Sequence, residues 1–158
     1  MNITFEKCER FVNSSVLSNL LTYARIESPD FADGLDQRVA AHLLDVAVGS
    51  VNKNGWGELA YIDDEPVGFS ILDVRGDRVM GGLTYVIKGF RGQGIGTQLR
   101  VRMLNSVPAE IKTIPYKIKK TNKSSKSSIE IAAKIANWGI QSEFSFDPHF
   151  DYYALLRK

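Results

Sequence analysis

Leu83-Thr84-Tyr85-Val86-Ile87-Lys88-Gly89-Phe90-Arg91-Gly92-Gln93-Gly94-Ile95-Gly96-Thr97 is a strand that runs into glycines, and the glycines run into a helix. Alternating β-branched and aromatic residues mark the strand. Beyond the glycines, Ile95, Leu99 and Met103 recur every fourth residue and mark the helix. Gly92, Gly94 and Gly96 let a ligand approach the backbone where side chains would block it. The first amides of the helix have no intrahelical acceptor and point outward, and the helix dipole adds partial positive charge there. Such a place suits a phosphate or pyrophosphate. The dinucleotide fingerprint G-x-G-x-x-G fails, because the third glycine arrives one residue early and the strand sits mid-chain. The P-loop fails as well, because Gly96-Thr97-Gln98 lacks the lysine.

Upstream of this stretch, Ile3 to Cys8 reads as a strand. Asn13, Ser14 or Ser15 can cap a helix whose Val16, Leu17, Leu20, Leu21 and Ala24 share one face. Ser28-Pro29-Asp30 and Asp33-Gly34 break that helix, and a second one carries Val39, Leu43, Val46 and Ala47 and stops near Gly49. Leu59 to Ile62, Val67 to Val74 and Val79 to Ile87 then alternate with period two. Turns at Asp63-Asp64-Glu65-Pro66 and Arg75-Gly76-Asp77 separate them, which predicts an antiparallel meander. Downstream, Pro108 ends the glycine-headed helix and Ile111 to Ile118 is a strand, expected parallel to its predecessor through a right-handed crossover. A helix over Ser124 to Trp138, stopped by Gly139, precedes strands at Phe144–Phe146 and Phe150–Leu156. No repeat or linker interrupts the chain, so the expectation is one α+β domain over residues 1–158 with a mixed sheet.

Composition narrows the function. A charged fraction of 24% and a hydrophobic fraction of 44% over 158 residues are those of a globular domain able to bury a core. No apolar run is long enough to span a bilayer, so no membrane role is expected. Met1 to Lys7 lacks the basic and apolar regions of a secretory signal. Cys8 is the only cysteine, which excludes an intrachain disulfide and a cysteine zinc site, and no metal is expected. A cytoplasmic location is the natural expectation. The formal net charge of +2 argues against a nucleic-acid partner. Charge is uneven locally: Lys112, Lys117, Lys119, Lys120, Lys123 and Lys126 cluster without an acid between them, and Glu27, Asp30, Asp33 and Asp36 cluster without a base.

The glycine stretch resembles motif A of the GNAT superfamily, the acyl-CoA-dependent N-acyltransferases. Their signature Arg/Gln-x-x-Gly-x-Gly/Ala is matched by Arg91, Gly94 and Gly96. The order of elements resembles the family's over nearly the whole chain. The resemblance implies one GNAT-like domain, with a mixed, mostly antiparallel sheet of about seven strands flanked by about four helices. It implies acetyl-CoA as co-substrate, its pyrophosphate on the amides of Gln93, Gly94, Ile95, Gly96 and Thr97, with Arg91 and Gly92 flanking it. It implies that the backbone of Val86 and Ile87 pairs with the pantetheine arm as an added strand. An Asn after the next strand commonly touches pantetheine in the family; Asn122 is the match, and Ser128 is the alternative because Asn122 to Gly139 is a longer spacing than usual.

Acyl transfer to an amine needs a base, a polarised carbonyl and an acid for the leaving thiolate. The family often supplies a Glu from a splayed strand and a Tyr from the last helix. Here both strands lack an acid, Lys117 stands where the Glu would be, and Ile135 stands at the Tyr position. Tyr116 and Tyr85 are the substitute acids, since either phenol can donate to a thiolate. Glu58, His42 and His149 are lesser candidates, and Cys8 reads as buried. The lysine cluster reads either as a solvated face or, through Lys123 or Lys126, as a contact for the CoA 3′-phosphate. The acidic stretch reads either as a solvated loop or as an attractor for a cationic amine. The expected activity is acetyl transfer from acetyl-CoA to a small-molecule or peptide amine in a ternary complex. The alternative is a catalytically degenerate CoA-binding regulatory or interaction domain. A homodimer is compatible with both.

Overall fold

The structure is a computed structural model and describes residues 1–27, 37–48 and 55–158. Its elements run β1 (Ile3–Lys7), α1 (Ser14–Glu27), α2 (Gln37–Ala47), β2 (Trp56–Ile62), β3 (Glu65–Arg75), β4 (Arg78–Val86), a 3-10 turn (Lys88–Phe90), α3 (Ile95–Ser106), β5 (Thr113–Lys119), α4 (Lys123–Ile135), β6 (Trp138–Glu143) and β7 (Phe150–Arg157). The α+β class and the order of elements agree with the expectation. The sheet differs in one respect. It is two antiparallel sheets, β1-β2-β3-β4 and β5-β7-β6, with no parallel ladder between β4 and β5. Those two strands come into contact but diverge, because β4 pairs only with β3 and β5 only with β7.

The β2–β3 hairpin is tighter than expected. Asp63 and Asp64 both have positive φ (47° and 68°), the signature of a two-residue primed turn, so Glu65 and Pro66 already belong to β3. Pro66 pairs with Tyr61 next to Ile62–Glu65, and the register shifts between Ala60 and Tyr61, leaving Val67 as the extra residue of β3. The end of α4 also differs. The helix stops at Ile135, and Asn137 takes the left-handed conformation at φ 61° that Gly139 was expected to supply. Asn is the usual second choice there. Trp138 and Gly139 therefore begin β6, and Phe144 and Phe146 are not a strand. They stand exposed in the β6–β7 connection, ring edge to ring face at 4.8 Å. The acidic residues Asp30, Asp33 and Asp36, the Ser28-Pro29 and Asp33-Gly34 breaks and the stop at Gly49 lie outside the described residues.

Helices cover both faces of the first sheet. Leu17, Leu20, Leu21 and Ala24 of α1 and Val46 and Ala47 of α2 pack on Leu59, Phe69, Ile71 and Tyr85. Each buried leucine contributes about 1.5–3 kcal/mol by leaving water. On the other side, Met103 and Leu104 of α3 join Ile129, Ala132 and Ala133 of α4, Ile114 and Ile118 of β5, and Tyr153 and Leu155 of β7. This second cluster holds the two half-sheets together below the point where β4 and β5 part. No helix among the described residues is long and apolar enough to cross a membrane.

Candidate functional site

The site grows from the end of β4. The amide of Ile87 donates to the Val67 carbonyl at 2.9 Å. Ladder bonds in an antiparallel pair fall on alternate residues. Thr84 and Val86 therefore turn their main-chain groups away from β3, toward the cleft that β5 bounds. Ile87 does not: its amide is on Val67, and its carbonyl accepts from Phe90 N–H at 2.9 Å. Of the two residues expected to pair with an extended ligand, the structure presents Val86 and replaces Ile87 by Thr84.

After the 3-10 turn the chain enters α3 through two left-handed glycines. Gly92 has φ 81°, and Gly94, the N-cap, has φ 79°. No side chain caps the helix. The amide of Gln98 returns to the Gly94 carbonyl at 3.0 Å, so those of Ile95, Gly96 and Thr97 are the orphan donors of the first turn. A Cβ built on Gly92 or Gly94 would meet nothing within 4 Å. The glycines thus serve the backbone conformation and leave open space above the amides. Ile95 is buried and anchors the turn, while Gln93 is exposed. The expected phosphate contacts from Gln93 to Thr97 are brought together in one turn of chain.

The Arg91 side chain is turned back from this turn. Its Nε donates to the Val86 carbonyl at 2.8 Å, its guanidinium faces Glu27 at 3.5 Å, and it lies over the Tyr85 ring. Glu27, at the end of α1, also accepts from the Lys88 amide at 2.9 Å and from the Tyr85 hydroxyl. Burial pushes the Tyr85 phenol well above its ordinary value, the hydrogen bond to Glu27 pushes it further, and Arg91 opposes both. Glu27 thus places a carboxylate beside the end of β4, a strand that carries no acid from Val79 to Ile87. In the sequence it stood only as the first member of an acidic run.

Tyr85 and Tyr116 do not meet. Tyr85 is buried with the α1–α2 cluster, whereas Tyr116 packs against the α3–α4 cluster. The Tyr116 hydroxyl accepts from Arg100 Nε at 3.2 Å. The same guanidinium donates to Ser128 Oγ at 2.8 Å and Ser125 Oγ at 2.9 Å. Ser128 Oγ also bonds Thr97 Oγ1 at 3.0 Å, tying the head of α3 to α4. Asn122 caps α4: its Oδ1 accepts from the Ser125 amide at 3.0 Å. Nothing in the sequence singles out Arg100, whose spacing is that of an ordinary residue of the helix Ile95–Ser106.

The lesser candidates have other employment. Glu58 is buried in a two-pronged pair with Arg102, at 2.7 Å on Nε. His42 faces Asp73 at 3.2 Å, and Asp73 pairs with Gly81, well down the β3–β4 ladder from the Gly68–Val86 end that leads to the glycine turn. The His149 main-chain amide donates to Asp147 Oδ1 at 2.8 Å, which places His149 in the β6–β7 connection, away from the glycine turn in sequence and element. Burial, and then Glu58, push the Cys8 thiol up to about 12, so it is not a nucleophile at neutral pH. Lys126 lies over the Tyr153 ring and Lys117 over that of Phe150, while Lys123 is exposed at the start of α4.

No family model matches the sequence, and no curated protein matches it either. Solved structures do. A GNAT-family acetyltransferase from Streptococcus pneumoniae superposes with TM-score 0.66 at 12% identity, over 99% of this chain and 100% of that one. The PaiA N-acetyltransferase from Thermoplasma acidophilum, solved with coenzyme A, gives 0.62 at 14% identity, over 99% of each chain. An N-acetyltransferase from Staphylococcus aureus gives 0.64 at 17% identity, over 98% and 97%. The fold is that of the GNAT acetyltransferases.

Proposed function

We propose that this single domain is an N-acetyltransferase that moves an acetyl group from acetyl-CoA to a primary amine by direct transfer in a ternary complex. One observation carries the reading: an uncapped, open glycine turn at the head of α3 stands at the mouth of a cleft between two strands that touch without pairing. In this reading the amides from Gln93 to Thr97 hold the pyrophosphate. The open edge of β4 at Val86 and Thr84 pairs with the pantetheine arm, and one of these amides polarises the thioester carbonyl. Arg91 reads as a brace that sets the Val86 carbonyl, not as a phosphate ligand. Glu27, on the side of β4 away from α3, supplies negative charge toward a cationic acceptor. Tyr116 is the proton donor to the departing thiolate, because Tyr85 has its hydroxyl on Glu27. Asn122 or Ser128 lines the ligand's path at the start of α4.

That engagement of Tyr85 also supports a second reading, a CoA-binding domain without catalysis. Calorimetric titration with acetyl-CoA, followed by thiol release across a panel of amines, separates the two. Binding with turnover establishes the transferase. Binding without turnover selects the second reading, and no binding overturns both.

A further inference from the structure

Arg100 is 7% exposed, and all three of its guanidinium nitrogens are met by neutral hydroxyls: Tyr116 on Nε, Ser128 on Nη1 and Ser125 on Nη2. Among the described residues no carboxylate lies within ion-pair distance of it, whereas Arg75, Arg91 and Arg102 each face one. Hydroxyls return only part of the hydration a buried cation loses. The position is also that of a site. Nη1 lies 3.4 Å from where a Cβ on Gly96 would stand, beneath the head of α3, and Nε reaches Tyr116 on the strand that bounds the cleft.

We infer that Arg100 is a positioning residue for Tyr116: the lone guanidinium is the counter-ion of the phenolate formed when Tyr116 protonates the leaving thiolate. The inference rests on the transferase reading above. Because Nε already donates to the phenol oxygen, the phenol's own hydrogen is left to donate to another acceptor, which in this proposal is the leaving sulfur. In the step, the amine nitrogen bonds to the thioester carbon and the carbon–sulfur bond breaks. Sulfur takes the Tyr116 proton. The proton shed by the nitrogen returns to the phenolate through solvent. The charge that develops on Tyr116 then meets a cation already in place, held by Ser125 and Ser128, with no reorganisation at the moment of reaction.

The test is steady-state thiol release by the wild type, Arg100→Met, Arg100→Lys, Tyr116→Phe and the Arg100→Met/Tyr116→Phe double variant. Arg100→Met is expected to lower kcat about 10²-fold, as loss of one preorganised donor does, with KM for acetyl-CoA within about twofold of wild type. The double variant is expected to be no slower than the slower single, because Arg100 acts through Tyr116. Arg100→Lys keeps the charge without the three-way bridge. It is expected to fall between wild type and Arg100→Met, and it serves as the test if the Met variant does not fold. Wild-type kcat in both Arg100 variants, or additive losses in the double variant, overturns the inference and leaves the transferase reading standing. Absence of wild-type turnover with any amine removes both.

Discussion

Gly94 carries two demands in one residue: a left-handed φ of 79° and open space where a Cβ would point. Asp tolerates the left-handed region at a cost of about 1 kcal/mol, and it would place a carboxylate against the proposed pyrophosphate. Gly94→Asp is therefore expected to fold and to lose CoA binding. Unchanged affinity by calorimetry would show that the turn holds no phosphate. Cys8 gives a different prediction. Its thiol titrates near 9.0 when exposed and at about 12 in the fold. Below pH 9 the thiol is protonated in both states. Between 9 and 12 only the unfolded chain loses the proton, so stability falls across that window. Cys8→Val should flatten the fall of melting temperature with pH over that range. An equally steep fall in the variant would place the alkaline loss elsewhere, for instance on Tyr61, which burial and Glu6 also push up to about 12.

At the scale of elements, Asn122 shows how a site residue and a structural residue trade places. Its Oδ1 bonds the Ser125 amide and so caps α4. Asn122→Ala should cost about 1 kcal/mol in denaturant unfolding, and Asn122→Asp should keep most of it. A stability-neutral Asn122→Ala would return the residue to a purely ligand-facing role. The same element shows what the sequence can and cannot carry. The glycine turn was legible because it is local: φ, spacing and helix periodicity sit within one short stretch. The end of α4 was not, because Asn137 and Gly139 both suit a left-handed stop and only the packing of Trp138 into the second cluster decides between them. Glu27 and Arg100 were not legible either. Their partners Tyr85, Lys88, Tyr116 and Ser128 lie between 16 and 61 residues away. No periodicity reports a contact of that kind.

The molecule as a whole is two antiparallel half-sheets that share helices and a core but no ladder at their junction. Where β4 and β5 part, the main-chain groups of Thr84 and Val86 face no neighbouring strand, and among the described residues only the Val86 carbonyl has a partner, the Arg91 side chain. A ligand that enters as an extended chain supplies that strand and bridges the halves. Binding should then stabilise the molecule globally and protect one edge locally. Ligand at a hundredfold its Kd adds about 2.7 kcal/mol, roughly 5–10 °C in melting temperature for a domain of this size. Hydrogen exchange should slow at the amides of Thr84 and Val86 and at the first amides of α3. It should remain unchanged at Ile87, whose amide is already committed to Val67. A melting shift with protection confined to α3 would mean that the ligand rests on the helix and never enters the cleft. In that event the split between the half-sheets would be a property of packing alone.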